Sequence, residues 1–206
     1  MMKKVFALLL ALCLALSLAA CAAPIDPETL AGKVDGRSYT NQFFNLRCSL
    51  PAGWSFRSEE EIAELLEIPA EEYTGKSFSQ KLQEEEEVVD MIFDAPTGTA
   101  LEFVIAGNSA LNNNISEQAV LEASIEDTIS SRQKEGYTDV TAEIGTTQFL
   151  GADKPCIQVN MKYMNVDFYE KILFFKGSGE YIAYITMFYL EEDDAVEALN
   201  CFSKLN

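Results

Sequence analysis

The sequence predicts an α+β domain in which an antiparallel sheet of about six or seven strands is sandwiched between helices. Three observations lead there. Apolar runs are joined by short turns, as at Asp94 to Thr99, which is the pattern of hairpins. Regular alternation of strand with helix, the signature of a parallel sheet, is missing. The runs 168–175 and 181–190 carry apolar residues on both faces, so both faces need cover.

The first 20 residues read as a signal segment. Lys3 and Lys4 make a basic start, Val5 to Leu18 an apolar run, and Ala19-Ala20 precede Cys21. The stretch Leu18-Ala19-Ala20-Cys21 resembles the lipobox of bacterial lipoproteins. That resemblance implies a diacylglyceryl group on the Cys21 sulfur and cleavage before Cys21. The 19 uncharged residues from Val5 to Ala23 also match a membrane span in length. An acidic flank, Ile25-Asp26-Pro27-Glu28, follows instead of a basic stop-transfer flank. Residues 21–36, punctuated by Pro24, Pro27, Gly32 and Gly36, read as a lipidated tether spanning on the order of 20 Å.

The domain is expected over residues 37–206. Phe44, Leu46, Cys48 and Leu50 alternate with polar residues, a half-buried strand that puts Cys48 on the core face. Pro51-Ala52-Gly53 turns the chain, and Trp54 is read as a core anchor rather than a groove wall. Ser58 and Glu61 form a capping box for a short helix with Ile62, Leu65 and Leu66 as its buried stripe, ended by Pro69. Residues 70–87 carry no clear period and read as a flap that would wall a ligand site. Two strands, 88–93 and 100–106, form a hairpin, and Ser116 caps a helix that Gly136 closes. Leu121, Ile125, Thr128 and Ile129 mark its buried side. Strands follow at 138–144, 147–150, 156–164, 168–175 and 181–190, and a helix is expected over 191–205. In the strand from Cys156 the apolar side is Ile157, Val159, Met161 and Tyr163, which leaves Cys156 on the polar side as the most accessible thiol.

Composition narrows the chemistry. Without residues 1–20 the chain keeps 186 residues, with 13 basic against 33 acidic side chains, a net charge of −20. Such a body is a poor match for nucleic acid. The chain has no histidine, which removes Ser-His-Asp and Cys-His catalysis and His-ligated metal sites. Gly75-Lys76-Ser77 lacks the upstream glycine and strand of a phosphate-binding loop. The acidic run Glu84 to Glu87 lacks metal-ligand spacing and reads as a solvated flank. No cofactor and no metal are expected. Cys48, Cys156 and Cys201, an odd number, read as three free structural thiols, with a single disulfide between two of them as the alternative.

Tyr39-Thr40-Asn41 to Phe44, then Leu50-Pro51-Ala52-Gly53-Trp54, a capped helix, and an ending of long strands and a helix resemble the PsbP-like family of α/β/α sandwiches. The resemblance spans roughly residues 37–206 and implies a binding or assembly module with no family-wide catalytic residues. The expected role is a membrane-anchored extracytoplasmic lipoprotein of the bacterial cell membrane, held by lipid at Cys21, that binds a protein or small ligand without catalysis. The alternatives are a carboxylate-based hydrolase and a small solute-binding lipoprotein of a transporter.

Overall fold

The structure is a computed structural model and describes residues 25–85, 87–107, 116–176 and 181–205. Cys21 and the signal segment lie outside the described residues, as does the turn at 177–179.

Seven strands form the main sheet. They are β4 (Ser55–Phe56), β5 (Glu87–Asp94), β6 (Ala100–Gly107), β7 (Thr138–Phe149), β8 (Ala152–Tyr163), β9 (Val166–Lys176) and β10 (Tyr181–Tyr189). Their order across the sheet is β4-β5-β6-β10-β9-β8-β7, and every pairing is antiparallel. Short connections explain β5–β6 and the run β7 to β10, where sequence neighbours pair, whereas β4–β5 and β6–β10 pair across longer stretches of chain. The stretch 147–150, read as a separate strand, continues β7 without a break to Phe149.

Both faces of the sheet are apolar, as the double-sided strands require. Leu101, Phe103 and Ile105 alternate onto one face with Ala183, Ile185 and Met187. On the other face, Ile157, Val159, Met161 and Phe174 pack beneath Leu121. This second face is covered over β7 to β9 by α4 (Glu117–Lys134), capped by Ser116 and closed by Gly136 at φ 95°. It is covered over β5 by α1 (Glu59–Leu65) and α2 (Ala70–Thr74), through Ile62, Ala63 and Tyr73 against Ile92.

The first face departs from the helix-only sandwich. Its cover is largely a second sheet of four short antiparallel strands, ordered β1 (Lys33–Asp35), β2 (Ser38–Asn41), β3 (Leu46–Ser49) and β11 (Phe202–Lys204). Tyr39, Leu46 and Cys48 point from it into the core. Beside it lies α5 (Glu192–Asn200), with Ala195, Ala198 and Leu199 buried. The helix expected to Leu205 stops at Asn200. Phe202 then pairs with Cys48, because one more turn of helix would take Phe202 away from Phe93 and Phe149. Alternation in a strand shows which side is buried, not which sheet it joins.

The fold also begins earlier than residue 37. Residues 27–30 form a 3-10 turn whose Leu30 is fully buried, and β1 pairs with β2. A buried polar knot holds this segment. Asp90 is the extra residue of a β-bulge between Val89 and Met91, which turns its carboxylate toward the N-terminal segment. It accepts hydrogen bonds from the Gly32 N–H (2.9 Å), the Tyr39 hydroxyl and the Asn41 amide (3.2 Å). Asn41 also donates to the Leu30 carbonyl at 2.7 Å and accepts from the Phe44 N–H at 3.0 Å. Burial is the first cause that pushes the Asp90 carboxyl above its usual value, and these donors oppose it. The Tyr39-x-Asn41 pattern is therefore structural. Only glycine fits at position 32, since a Cβ there would sit 2.2 Å from the Tyr39 ring.

Candidate functional site

The two helical covers of the second face do not meet. Between α4 on one side and α1 and α2 on the other, β6 and β10 are left uncovered, and a cavity of about 670 Å³ opens there. Its floor is made by alternate residues of two paired strands: Glu102 and Val104 of β6, with Tyr184, Thr186 and Phe188 of β10. One wall is apolar, built from Leu65 at the end of α1, Leu66 and Ile68 just after it, and Tyr73 of α2. The opposite wall is the C-terminal end of α4, with Arg132 and Glu135. Lys81 and Glu84 of α3 (Phe78–Glu85) close one end.

Two arginines, each held by a carboxylate, act on Glu102 of the floor. Arg57 grips Asp94 through Nε and Nη2 at 2.7 and 2.8 Å. Arg132 grips the fully buried Glu170 of β9 through Nε and Nη2 at 2.8 and 2.6 Å, and its Nη1 reaches Glu135 at 2.7 Å. Its guanidinium also stacks over the Phe188 ring at 5.0 Å. Glu102 lies between these two committed arginines. Among the described residues no hydrogen bond reaches its carboxyl group. Burial raises its pKa, and the fields of Arg132 and Arg57 oppose the rise. The floor thus holds a largely desolvated carboxyl, Glu102, which binds its proton more tightly than it would in water. Glu84, Glu85 and Glu87 are exposed at the rim, where Glu84 pairs with Lys76 and Glu87 accepts from the Tyr184 hydroxyl at 2.6 Å.

The expectations drawn from the sequence fall on this geometry unevenly, and the reasons are local. The segment 70–87, expected as a flap and ligand wall, does line the groove, but as two helices with Tyr73, Lys81 and Leu82 buried. The Lys81 ammonium sits 3.9 Å above the Tyr73 ring and donates to Glu59 at 3.0 Å, so a charge provides part of the packing that a periodic stripe would supply. Leu65 and Leu66, expected to be buried with Ile62, are 48% and 39% exposed and form the groove's lip instead. Trp54 is core, 5.5 Å from the Phe93 ring. Cys156 is fully buried rather than accessible, because the polar side of β8 at that point faces the first core. Cys201 is the partly exposed thiol, and Cys48 is buried as expected. Lys76 of the Gly75-Lys76-Ser77 stretch pairs with Glu72 and Glu84. Glu102, Arg132 and Glu170 were missed. The available signal was a charged residue inside each of two apolar strands, at Ala100 to Ala106 and Phe168 to Phe175.

Among the described residues no group of three or more acidic or cysteine side chains is arranged to hold a metal, and no helix is long and apolar enough to cross a membrane. No family model and no curated protein sequence matches the chain. Solved structures similar to it include the following two. One is the solution structure of cyanobacterial PsbP (CyanoP) from Synechocystis sp. PCC 6803, at 11% identity and TM-score 0.47, covering 90% of this chain and 97% of that one. The other is the crystal structure of LpqN, involved in cell envelope biogenesis of Mycobacterium tuberculosis, at 8% identity and TM-score 0.41, covering 77% and 82%. The first is a PsbP protein, the family that Tyr39 to Asn41 and Leu50 to Trp54 resemble. Both scores lie below 0.5, so the architecture rests on the strand registers above and not on either neighbour.

Proposed function

We propose that the protein is a lipid-anchored extracytoplasmic module that binds a small, largely apolar ligand in the groove over β6 and β10, without catalysis. The observation that carries this reading is the groove itself. Its volume of about 670 Å³ is in the range of small-molecule sites, and it combines apolar walls with a few polar groups at the floor. Leu65 and Leu66 stay at the surface beside it, where water contact is unfavourable unless something covers them. The anchor is Cys21, carrying the lipid that its resemblance to the lipobox implies. A body of net charge −20 is repelled by anionic headgroups, so attachment falls to the acyl chains. The same charge disfavours nucleic acid as a partner.

The carboxylate-hydrolase alternative needs two acids facing each other across a cleft. In the groove Glu135 is held by Arg132, Glu87 by Tyr184 and Glu84 by Lys76, Glu85 is exposed at the rim, and Glu102 is the desolvated acid at the floor. That arrangement supports binding better than acid–base catalysis.

The test is a titration of the purified protein with Nile red, an uncharged dye whose emission moves to the blue in apolar surroundings. The expected result is a single saturable site that Leu66→Glu removes while the melting temperature is kept. Absence of saturable binding, or equal binding by Leu66→Glu, removes the reading.

A further inference from the structure

We infer that Cys48 and Cys201 are a disulfide-forming pair, joined when the folded protein meets a disulfide oxidant. Backbone geometry brings them together. Cys48 on β3 lies opposite Phe202 on β11, and the Ser49 N–H donates to the Cys201 carbonyl at 2.9 Å. Cys201 therefore lies opposite Ser49, one residue along from the Cys48–Phe202 pair, which brings the two cysteine backbones together at the end of this ladder. In a regular strand, residues 201 and 202 would point to opposite faces. Cys201 instead caps α5 with helical dihedrals, φ −65° and ψ −19°, and its side chain packs against the core that contains Cys48. Cys48 lies within the first core and Cys201 packs against that same core.

The pair is chemically asymmetric. Cys48 is buried, and interaction with it holds the Cys201 thiol below its ordinary value. The neighbouring Cys201 and burial push Cys48 far up. Cys201 is also the partly exposed member, and its thiol otherwise donates to the Glu197 carbonyl at 3.6 Å. The order of events follows. The Cys201 thiolate attacks one sulfur of the oxidant, whose S–S bond breaks and releases one thiolate. Cys48 then loses its proton to water and attacks the Cys201 sulfur, expelling the second thiolate of the oxidant. Two protein thiols become one disulfide, and the oxidant takes the two electrons as two thiols. Cys156, buried on β8, keeps its thiol, which accounts for the odd count.

The bond would tie α5 and β11 to the small sheet and close a loop over most of the domain, the arrangement in which a cross-link most restricts the unfolded chain. This inference does not rest on the groove or its ligand. Full-length protein, purified in detergent under reduction, is incubated with oxidised glutathione, unfolded, alkylated and mapped by mass spectrometry. The expected map links the Cys48 and Cys201 peptides, lighter by two hydrogens, and shows Cys156 alkylated. The expected melting temperature rises by ~10 °C on oxidation and falls back with dithiothreitol. Cys48→Ser and Cys201→Ser each abolish that rise, whereas Cys156→Ser retains it. Should Cys48→Ser not fold, Cys201→Ser at its partly exposed position decides the matter. A stable glutathione adduct at Cys201, or Cys48 and Cys201 both alkylated after oxidation, overturns the pairing.

Discussion

Arg132 on α4 and Glu170 on β9 form a two-point ion pair, with Nε–Oε2 at 2.8 Å and Nη2–Oε1 at 2.6 Å, and Glu170 has no exposed surface. The pair joins the helix that walls the groove to the sheet that floors it. Removing one partner leaves a buried charge uncompensated, which costs about 3–5 kcal/mol. Arg132→Ala is therefore expected to lower the melting temperature by ~10 °C. Arg132→Lys keeps the charge but loses the fork and falls in between. A melting curve for each variant checks the order. Equal stability of Arg132→Ala and the parent contradicts it.

Glu102 gives a pH signature. Its carboxyl is raised by burial, so the folded state holds the proton more tightly than the unfolded chain. Stability from this group is therefore greatest below the ordinary carboxyl value of 4.5 and falls as pH rises toward the folded value. Glu102→Gln cannot ionise. The melting temperature of Glu102→Gln minus that of the parent should grow as pH rises through this window and then level off. The groups facing Glu102 are Arg57, Asp94, Arg132 and Glu170. A difference that shrinks with rising pH contradicts the assignment.

At the polar knot, Gly32→Ala is expected to be destabilising by about 1–3 kcal/mol, because its Cβ meets the Tyr39 ring and the segment must shift. Tyr39→Phe removes one of the donors to a buried carboxylate and costs about 1–3 kcal/mol. Denaturant unfolding measures both. Parent-like stability of Gly32→Ala would show that the segment 27–35 is not packed as described.

The sandwich was legible where period and turn chemistry carry the information. The hairpin at Asp94 to Thr99, the Ser58–Glu61 capping box and the double-sided strands 168–175 and 181–190 are local patterns with local causes. The second sheet was not legible as a sheet, because β2 and β3 pair locally but β11 joins β3 through residues about 155 apart, as at Cys48 and Phe202. The groove was only half legible. Leu65 and Leu66 have the right spacing for a buried stripe, and only the gap between α1 and α4 leaves them in water. Asp90 was invisible for a different reason, since a bulge breaks the alternation that sequence reading assumes.

The anchor carries its own prediction. Cells supplied with an alkyne-tagged fatty acid should label the parent protein, and Cys21→Ser should take no label and leave the membrane fraction. Labelling that persists in Cys21→Ser places the lipid, or the membrane attachment, elsewhere.

The central claim is that the gap between α1–α2 and α4 is where a ligand sits. Methyl-resolved nuclear magnetic resonance of the protein with saturating Nile red tests it most directly. The methyls of Leu65, Leu66, Ile68, Val89 and Val104, all on the groove, should shift, while those of Ile157 and Val159 under α4 should not. Shifts that cluster away from the groove, or none at saturating dye, would contradict the account.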